Sequence, residues 1–175
     1  MAINRAAMVE IRSPFPPSET PRIFLWMQPF LARVSDDFSP KTIEDFIPFF
    51  LKAAEQQKTW AVYRDGELGG MISYQQVSPV VGTAHIVFKK SFWGHNTSIP
   101  AMELAAPEMF RHCKKLSFQV MEGNKAMISL LKKFGAKTEG TLQAQTTRNG
   151  KPIGVVLLAA FPPQPQESKP IQEAA

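Results

Sequence analysis

The sequence predicts a mixed α/β fold: a mostly antiparallel central sheet with helices on both faces. Three observations predict it. Thr59–Phe92 holds apolar runs of strand length separated by tight-turn dipeptides, the pattern of an antiparallel meander. Beyond Ile99 the pattern alternates helix, strand, helix, and closes on two strands joined by Asn149-Gly150. In the N-terminal third, Ile43, Phe46, Ile47, Phe50 and Leu51 recur at steps of about three and four residues, an apolar stripe along one helix face.

Each element has its own signal. Met8–Phe15 is a short strand closed by Pro14, Pro16 and Pro17. Thr20–Ala54 is expected to be helical, broken at Pro29. Its second half is expected to start at Ser39-Pro40, a capping residue followed by proline at the first helical position. Pro48 lies inside that stripe and should bend or shorten the helix. TWAVYR, Asp65-Gly66 and ELGGMISYQ give strand, turn and strand; Ser78–Gly82 turns the chain into a further strand, TAHIVFKKSFW. Then come a helix near Ile99–Cys113, a strand at Leu116–Met121, a helix at Asn124–Phe134, and the strands TLQAQTTR and IGVVLLAAF. Pro107 should kink the first of these helices or divide it. Residues 1–161 are read as one domain. Residues 162–175 carry four prolines and few apolar residues, and are read as an extension.

The gross numbers set limits. The 175 residues suffice for one domain with a sizeable core, and the 44% apolar content suits a packed chain. No apolar run reaches the ~18 residues of a membrane span, and Arg5, Glu10 and Arg12 interrupt any signal-peptide core. The single cysteine, Cys113, excludes an internal disulfide framework and points to a reducing cytoplasm. Three scattered histidines with one cysteine argue against a metal site. The net charge of +5, with lysines paired at 89–90, 114–115 and 132–133, suits an anionic partner or simply solvated faces. No arginine-rich tract, zinc-finger spacing or aromatic platform supports nucleic-acid binding.

The most informative stretch joins the fourth strand to the next helix: Trp93-Gly94-His95-Asn96-Thr97-Ser98, then Pro100. A strand that delivers small and polar residues to a helix start can hold a phosphate on its main-chain N–H groups and on the helix dipole. Gly94 and Asn96 tolerate left-handed backbone angles. Thr97 and Ser98 offer hydroxyl donors, and His95 offers a donor or a charge. Pro100 lacks an N–H where the first helical turn needs none. The competing reading is an ordinary structural turn.

This loop, the element order, and Asn124-Lys-Ala-Met-Ile-Ser-Leu-Leu-Lys-Lys133-Phe-Gly135-Ala136 together resemble the GCN5-related N-acetyltransferase (GNAT) family. The branch that acetylates ribosomal-protein N-termini is the most similar, with W-G-x-G-x-A at the first site and N-x8-K-x-G-F at the second. The Gly-Ala ending also resembles GNAT-like proteins of tailed phages. The resemblance spans about Met8 to Phe161. It implies acetyl-CoA as donor, its pyrophosphate on Gly94–Ser98, and its thioester carbonyl on a main-chain amide of Val87 or Phe88. It also implies that Asn124 bonds the pantetheine arm; capping the helix is the alternative, and both can hold. The partner would be an amine acceptor, protein or small molecule, handled by a monomer or homodimer.

Two residues are candidates for the base that takes the amine's proton: His85, the only titratable group of the fourth strand before its lysines, and Glu122, just after the fifth. Their ordinary alternatives are a hydrogen-bonded sheet histidine and a solvent-facing loop acid. The acids that family members use to protonate the thiolate would stand at Met127 or Leu131, which cannot do so. That absence motivates a second reading, a GNAT-fold binding or virion-associated protein without turnover. The acceptor would enter between the N-terminal helices and the last strand pair, near Trp26, Met27, Phe30, Phe49 and Phe50.

Overall fold

The computed structural model describes residues 7–94 and 96–163. His95 and nearly all of the proline-rich extension lie outside them. Among the described residues, seven strands form one sheet in the order β1-β2-β3-β4-β5-β7-β6. They are β1 (Val9–Arg12), β2 (Lys58–Arg64), β3 (Glu67–Gln76), β4 (Val81–Phe88), β5 (Lys115–Met121), β6 (Lys137–Arg148) and β7 (Lys151–Ala160). Every neighbouring pair is antiparallel except β4–β5. The expected mixed, mostly antiparallel sheet is therefore present. Both hairpin dipeptides act through left-handed angles: φ is 51° and 81° at Asp65-Gly66, and 52° and 69° at Asn149-Gly150.

The helices are α1 (Thr20–Met27), α2 (Leu31–Val34), α3 (Ile43–Ala54), α4 (Ser98–Phe110) and α5 (Lys125–Lys133). Two expectations need correction. Helix α3 starts after Ser39-Pro40, because its cap is Thr42, whose hydroxyl accepts the Asp45 N–H at 3.2 Å. The Ser39 hydroxyl instead donates to Asp36 at 2.7 Å. Pro107 does not divide α4. Pro107 and Glu103 are both exposed, so the carbonyl that loses its helical partner can bond water. Pro48 is likewise accommodated on the exposed side of α3.

Strand alternation divides the core. Ile72, Ala84, Ile86, Phe88, Leu116 and Phe118 face α4 and α5 in the larger cluster. Ala61, Met71 and Val87 face the other way, against Ile23 and Phe24 of α1 and Phe46 of α3. Gly70 has no side chain because Phe88 lies across it: a Cβ there would fall 2.3 Å from the ring.

The parallel β4–β5 pairing covers only Val81–Lys115, Gly82–Leu116 and Thr83–Ser117. Beyond Thr83 and Ser117 the strands part. Their C-terminal ends form a wedge, and from that end the chain enters α4 and α5.

Candidate active site

Which main-chain groups line the wedge follows from the ladders. Lys89 donates to the Gly69 carbonyl at 2.9 Å and Val77 donates to the Val81 carbonyl at 2.9 Å, so odd-numbered residues of β4 bond β3. Val87, opposite Met71, belongs to this series. Its amide is held by β3, which corrects its assignment as a donor to the thioester. Phe88 has the opposite parity and its peptide groups face the wedge. The Phe88 carbonyl takes the Trp93 indole N–H at 3.0 Å; its N–H points into the opening. On β5, Lys115 donates toward β4 and Glu122 donates to Gly154 of β7. Gln119 and Met121 therefore turn their peptide groups toward the wedge. The Met121 carbonyl takes the Asn124 N–H at 3.0 Å, but polar groups of Ile86 and Gln119 and the N–H groups of Phe88 and Met121 face an opening that no β4–β5 pairing fills among the described residues.

The loop after β4 is organised differently. Gly94 takes φ of 112°, the left-handed role expected of it, with open space where a Cβ would stand. The Ser98 hydroxyl, however, accepts the Gly94 N–H at 3.0 Å and donates to the Gly94 carbonyl at 2.9 Å. The same carbonyl accepts the amides of Thr97 and Ser98 at 3.4 and 3.2 Å. Thr97 is 1% exposed, and its hydroxyl accepts from Arg64 at 3.1 Å. The hydroxyls expected to face a phosphate are turned inward, and three loop amides close on the loop itself. Asn96 remains on the surface.

His85 stands on β4 facing away from the main core, on the side that carries α1. It keeps solvent contact, yet protein crowds the ring: loss of solvation lowers its pKa below the ordinary 6.5. Glu122 is placed elsewhere. Its N–H bonds the Gly154 carbonyl at 2.9 Å, and its carboxylate lies over Gly154 of β7, the side of β5 away from β4. The two base candidates are not brought together. Asn124 caps α5, accepting the Met127 N–H at 3.3 Å. Leu131 is buried in the core and Met127 packs beside it. Along α5, Lys125, Ile128, Ser129, Lys132 and Lys133 line an open recess of about 380 Å³.

A clamp that the sequence did not reveal walls the His85 side of the sheet. The Asp37 carboxylate accepts the amides of Asn149 and Gly150 at 2.8 and 2.9 Å, and the Asp37 N–H donates to the Thr147 carbonyl at 2.9 Å. Asp36 accepts from the Thr146 hydroxyl at 2.8 Å. Arg148 donates to the carbonyls of Ser35 and Arg33, each at 3.0 Å, and reaches the Met121 sulfur. The β6–β7 hairpin and the α2–α3 loop are thereby fixed beside the end of β5. Bonding from Gly150 and Thr147 lowers the Asp37 pKa. For Asp36, burial acts upward but bonds from Ser39 and Thr146 outweigh it, and the pKa is lowered.

The sequence profile of the acetyltransferase (GNAT) domain matches residues 10–137, and the chain belongs to that family. Its fold is shared with a probable GNAT-family acetyltransferase from Chromobacterium violaceum (TM-score 0.73, 15% identity, 91% of this chain and 87% of that one). It is shared with an acetyltransferase from Salmonella typhimurium that modifies the N-terminal serine of a 50S ribosomal-subunit protein (TM-score 0.70, 16% identity, 87% and 94% covered). A ribosomal alpha-N-protein acetyltransferase in complex with coenzyme A is also similar (TM-score 0.66, 16% identity, 87% and 93% covered). No curated protein sequence matches. Among the described residues, no helix is long and apolar enough to cross a membrane.

Proposed function

We propose that the chain is an N-acetyltransferase that takes the acetyl group of acetyl-CoA and passes it to a primary amine, of a protein or peptide, by direct attack. The observation that carries this reading is the wedge. The peptide groups of Ile86 and Gln119 and the N–H groups of Phe88 and Met121 face an opening without strand partners, and a pantetheine arm with its own amides matches them. Bound there, acetyl-CoA supplies the acyl group as a thioester. Phe88 N–H is the donor suited to a carbonyl oxygen that gains charge. His85, neutral at physiological pH, is suited to accept the proton that the attacking amine must lose. Asn124, at the mouth of the wedge, can keep its capping bond and still offer its NH2 group to the arm. Lys125, the first residue of α5, adds positive charge next to Asn124 at that end of the sheet.

The second reading, a GNAT-fold binding protein without turnover, draws on two observations. The positions where family members place a thiolate acid carry a buried leucine and a packed methionine, and the Gly94–Ser98 loop closes on itself.

Thermal melting with rising acetyl-CoA or CoA tests the first step. A ligand at a hundred times its Kd stabilises the folded state by about 2.7 kcal/mol. No rise at millimolar concentration ends the acetyl-CoA reading. Given a rise, release of free thiol in the presence of a mixed peptide library separates enzyme from binding protein.

A further inference from the structure

We infer that Gln119, from the opposite lip of the wedge, positions the acceptor amine against His85. The inference rests on the acetyltransferase reading and concerns a residue that none of the sequence motifs includes. Val81–Lys115, Gly82–Leu116 and Thr83–Ser117 are the bridged pairs, and the same register two residues further brings His85 opposite Gln119. Alternation then fixes the face. Ala84 and Ile86 on β4, and Phe118 and Val120 on β5, are buried against α4 and α5, so His85 and Gln119 both project from the other face. Each is exposed while its strand neighbours are not. Because the strands have already parted, the two side chains flank the opening instead of pairing across a closed ladder.

The chemistry suits a nucleophilic amine. A carboxamide offers one accepting oxygen and two donors without charge. Its oxygen can take an amine N–H and aim the nitrogen lone pair at the wedge. A carboxylate at this place would instead favour the protonated ammonium, which cannot attack. The NH2 group remains available for the first carbonyl of a peptide acceptor. The groups that share the His85 face on the neighbouring strands are uncharged in the same sense. On β3, Ser73 and Gln75 share its face. On β5 the facing groups are Gln119 and Met121. Arg22 of α1 is paired with Glu19 at 2.7 Å, and Arg148 is held by the Ser35 and Arg33 carbonyls. Arg148 keeps its charge in these bonds and reaches Met121, so a carboxylate introduced at Gln119 acts on the ring in competition with that guanidinium.

The test has two readouts. Histidine-labelled protein contains three ring signals, and His85→Ala assigns the relevant one. In Gln119→Glu, the His85 titration midpoint should rise by about 1 pH unit, as expected for an opposite charge placed nearby. An unmoved midpoint overturns the placement, and this holds whether or not the protein turns over. In acetyl-transfer assays, Gln119→Ala should raise KM for the amine and lower kcat/KM about 10-fold, with KM for acetyl-CoA unchanged. Gln119→Glu should move the acid limb of the kcat/KM profile upward with the ring midpoint. An unchanged amine KM in Gln119→Ala overturns the positioning role. If wild type acetylates no amine, the acetyltransferase reading fails and the positioning role falls with it, while the ring titration still reports the juxtaposition.

Discussion

The wedge between β4 and β5 and the loop from Trp93 to Ser98 would serve opposite ends of one ligand, yet they are prepared for it differently. The wedge presents peptide groups that its own strands leave unpaired beyond Thr83 and Ser117. The loop closes on itself, with one serine hydroxyl bridging the amide and the carbonyl of Gly94. A parallel pair that starts in register and then diverges cannot satisfy its own groups, whatever side chains it carries. A loop of small polar residues can, and Ser98 does so here. Readiness for a ligand is thus a property of topology in one region and of a single side chain in the other.

The largest expected effect falls on chemistry at the wedge and leaves the loop untouched. His85→Ala should lower kcat/KM by about 10²- to 10⁴-fold, the usual range for a lost general base. Because His85 is exposed, the melting temperature and the acetyl-CoA-induced shift should stay as in wild type. In wild type the acid limb of kcat/KM should lie below pH 6.5: the ring must be neutral to accept a proton, and its lowered pKa keeps it neutral further into acid. A variant with full activity, or an acid limb above 6.5 beyond the one set by the amine's own ionisation, would remove His85 from the mechanism and leave the wedge as a binding feature only.

Ser98→Ala addresses the loop. It deletes a fully buried hydroxyl that makes two hydrogen bonds, so a loss on the order of 1–2 kcal/mol is expected in denaturant melts. Affinity for CoA should be no weaker, since the hydroxyl is already engaged within the loop and its removal releases the Gly94 amide. A tenfold weakening of CoA binding would mean that Ser98 turns outward when ligand arrives, and the contrast between the two regions would disappear.

A smaller effect is expected at Asn124, the residue shared by structural and binding roles. Asn124→Ala should cost about 1 kcal/mol through the lost α5 cap. Asn124→Ser keeps a capping oxygen but has no amide to offer the arm. Full stability with weakened CoA binding in the serine variant would separate the two roles; unchanged binding in both variants would leave Asn124 as a cap.

What the sequence made legible was local. Asp65-Gly66 and Asn149-Gly150 specify their turns through φ, and Gly94 was identifiable because only a left-handed residue fits after Trp93. The choice between Val87 and Phe88 was not legible, since it depends on which parity of β4 the partner β3 claims. The inward hydroxyl of Ser98 depends on a rotamer at the helix start. The Asp36–Thr146 contact joins residues 110 apart in sequence, and nothing near Asp36-Asp37 announces a hairpin as its partner. Glu122 was a reasonable candidate by position, but its peptide group belongs to β7, and its side chain follows.

The gentlest test acts through that long-range clamp. Asp36 and Asp37 have pKa values lowered below the ordinary 3.8, so each binds protons less readily in the folded chain than in the unfolded one. Their contribution to stability is therefore complete above pH 3.8 and is lost as pH falls through the folded values. Both are partly or fully solvated, so the effect is modest and local. Hydrogen exchange in that acid window should rise first at Asn149 and Gly150, whose amides the Asp37 carboxylate holds. It should rise later at Gly94, Thr97 and Ser98, whose partners are a hydroxyl and a carbonyl that do not titrate. Asp37→Asn should bring the early hairpin exchange up to neutral pH and leave the loop amides unchanged. Simultaneous release of both segments would show that hairpin and loop open as one unit, and that the wall of the wedge is not independent of the loop that closes on itself.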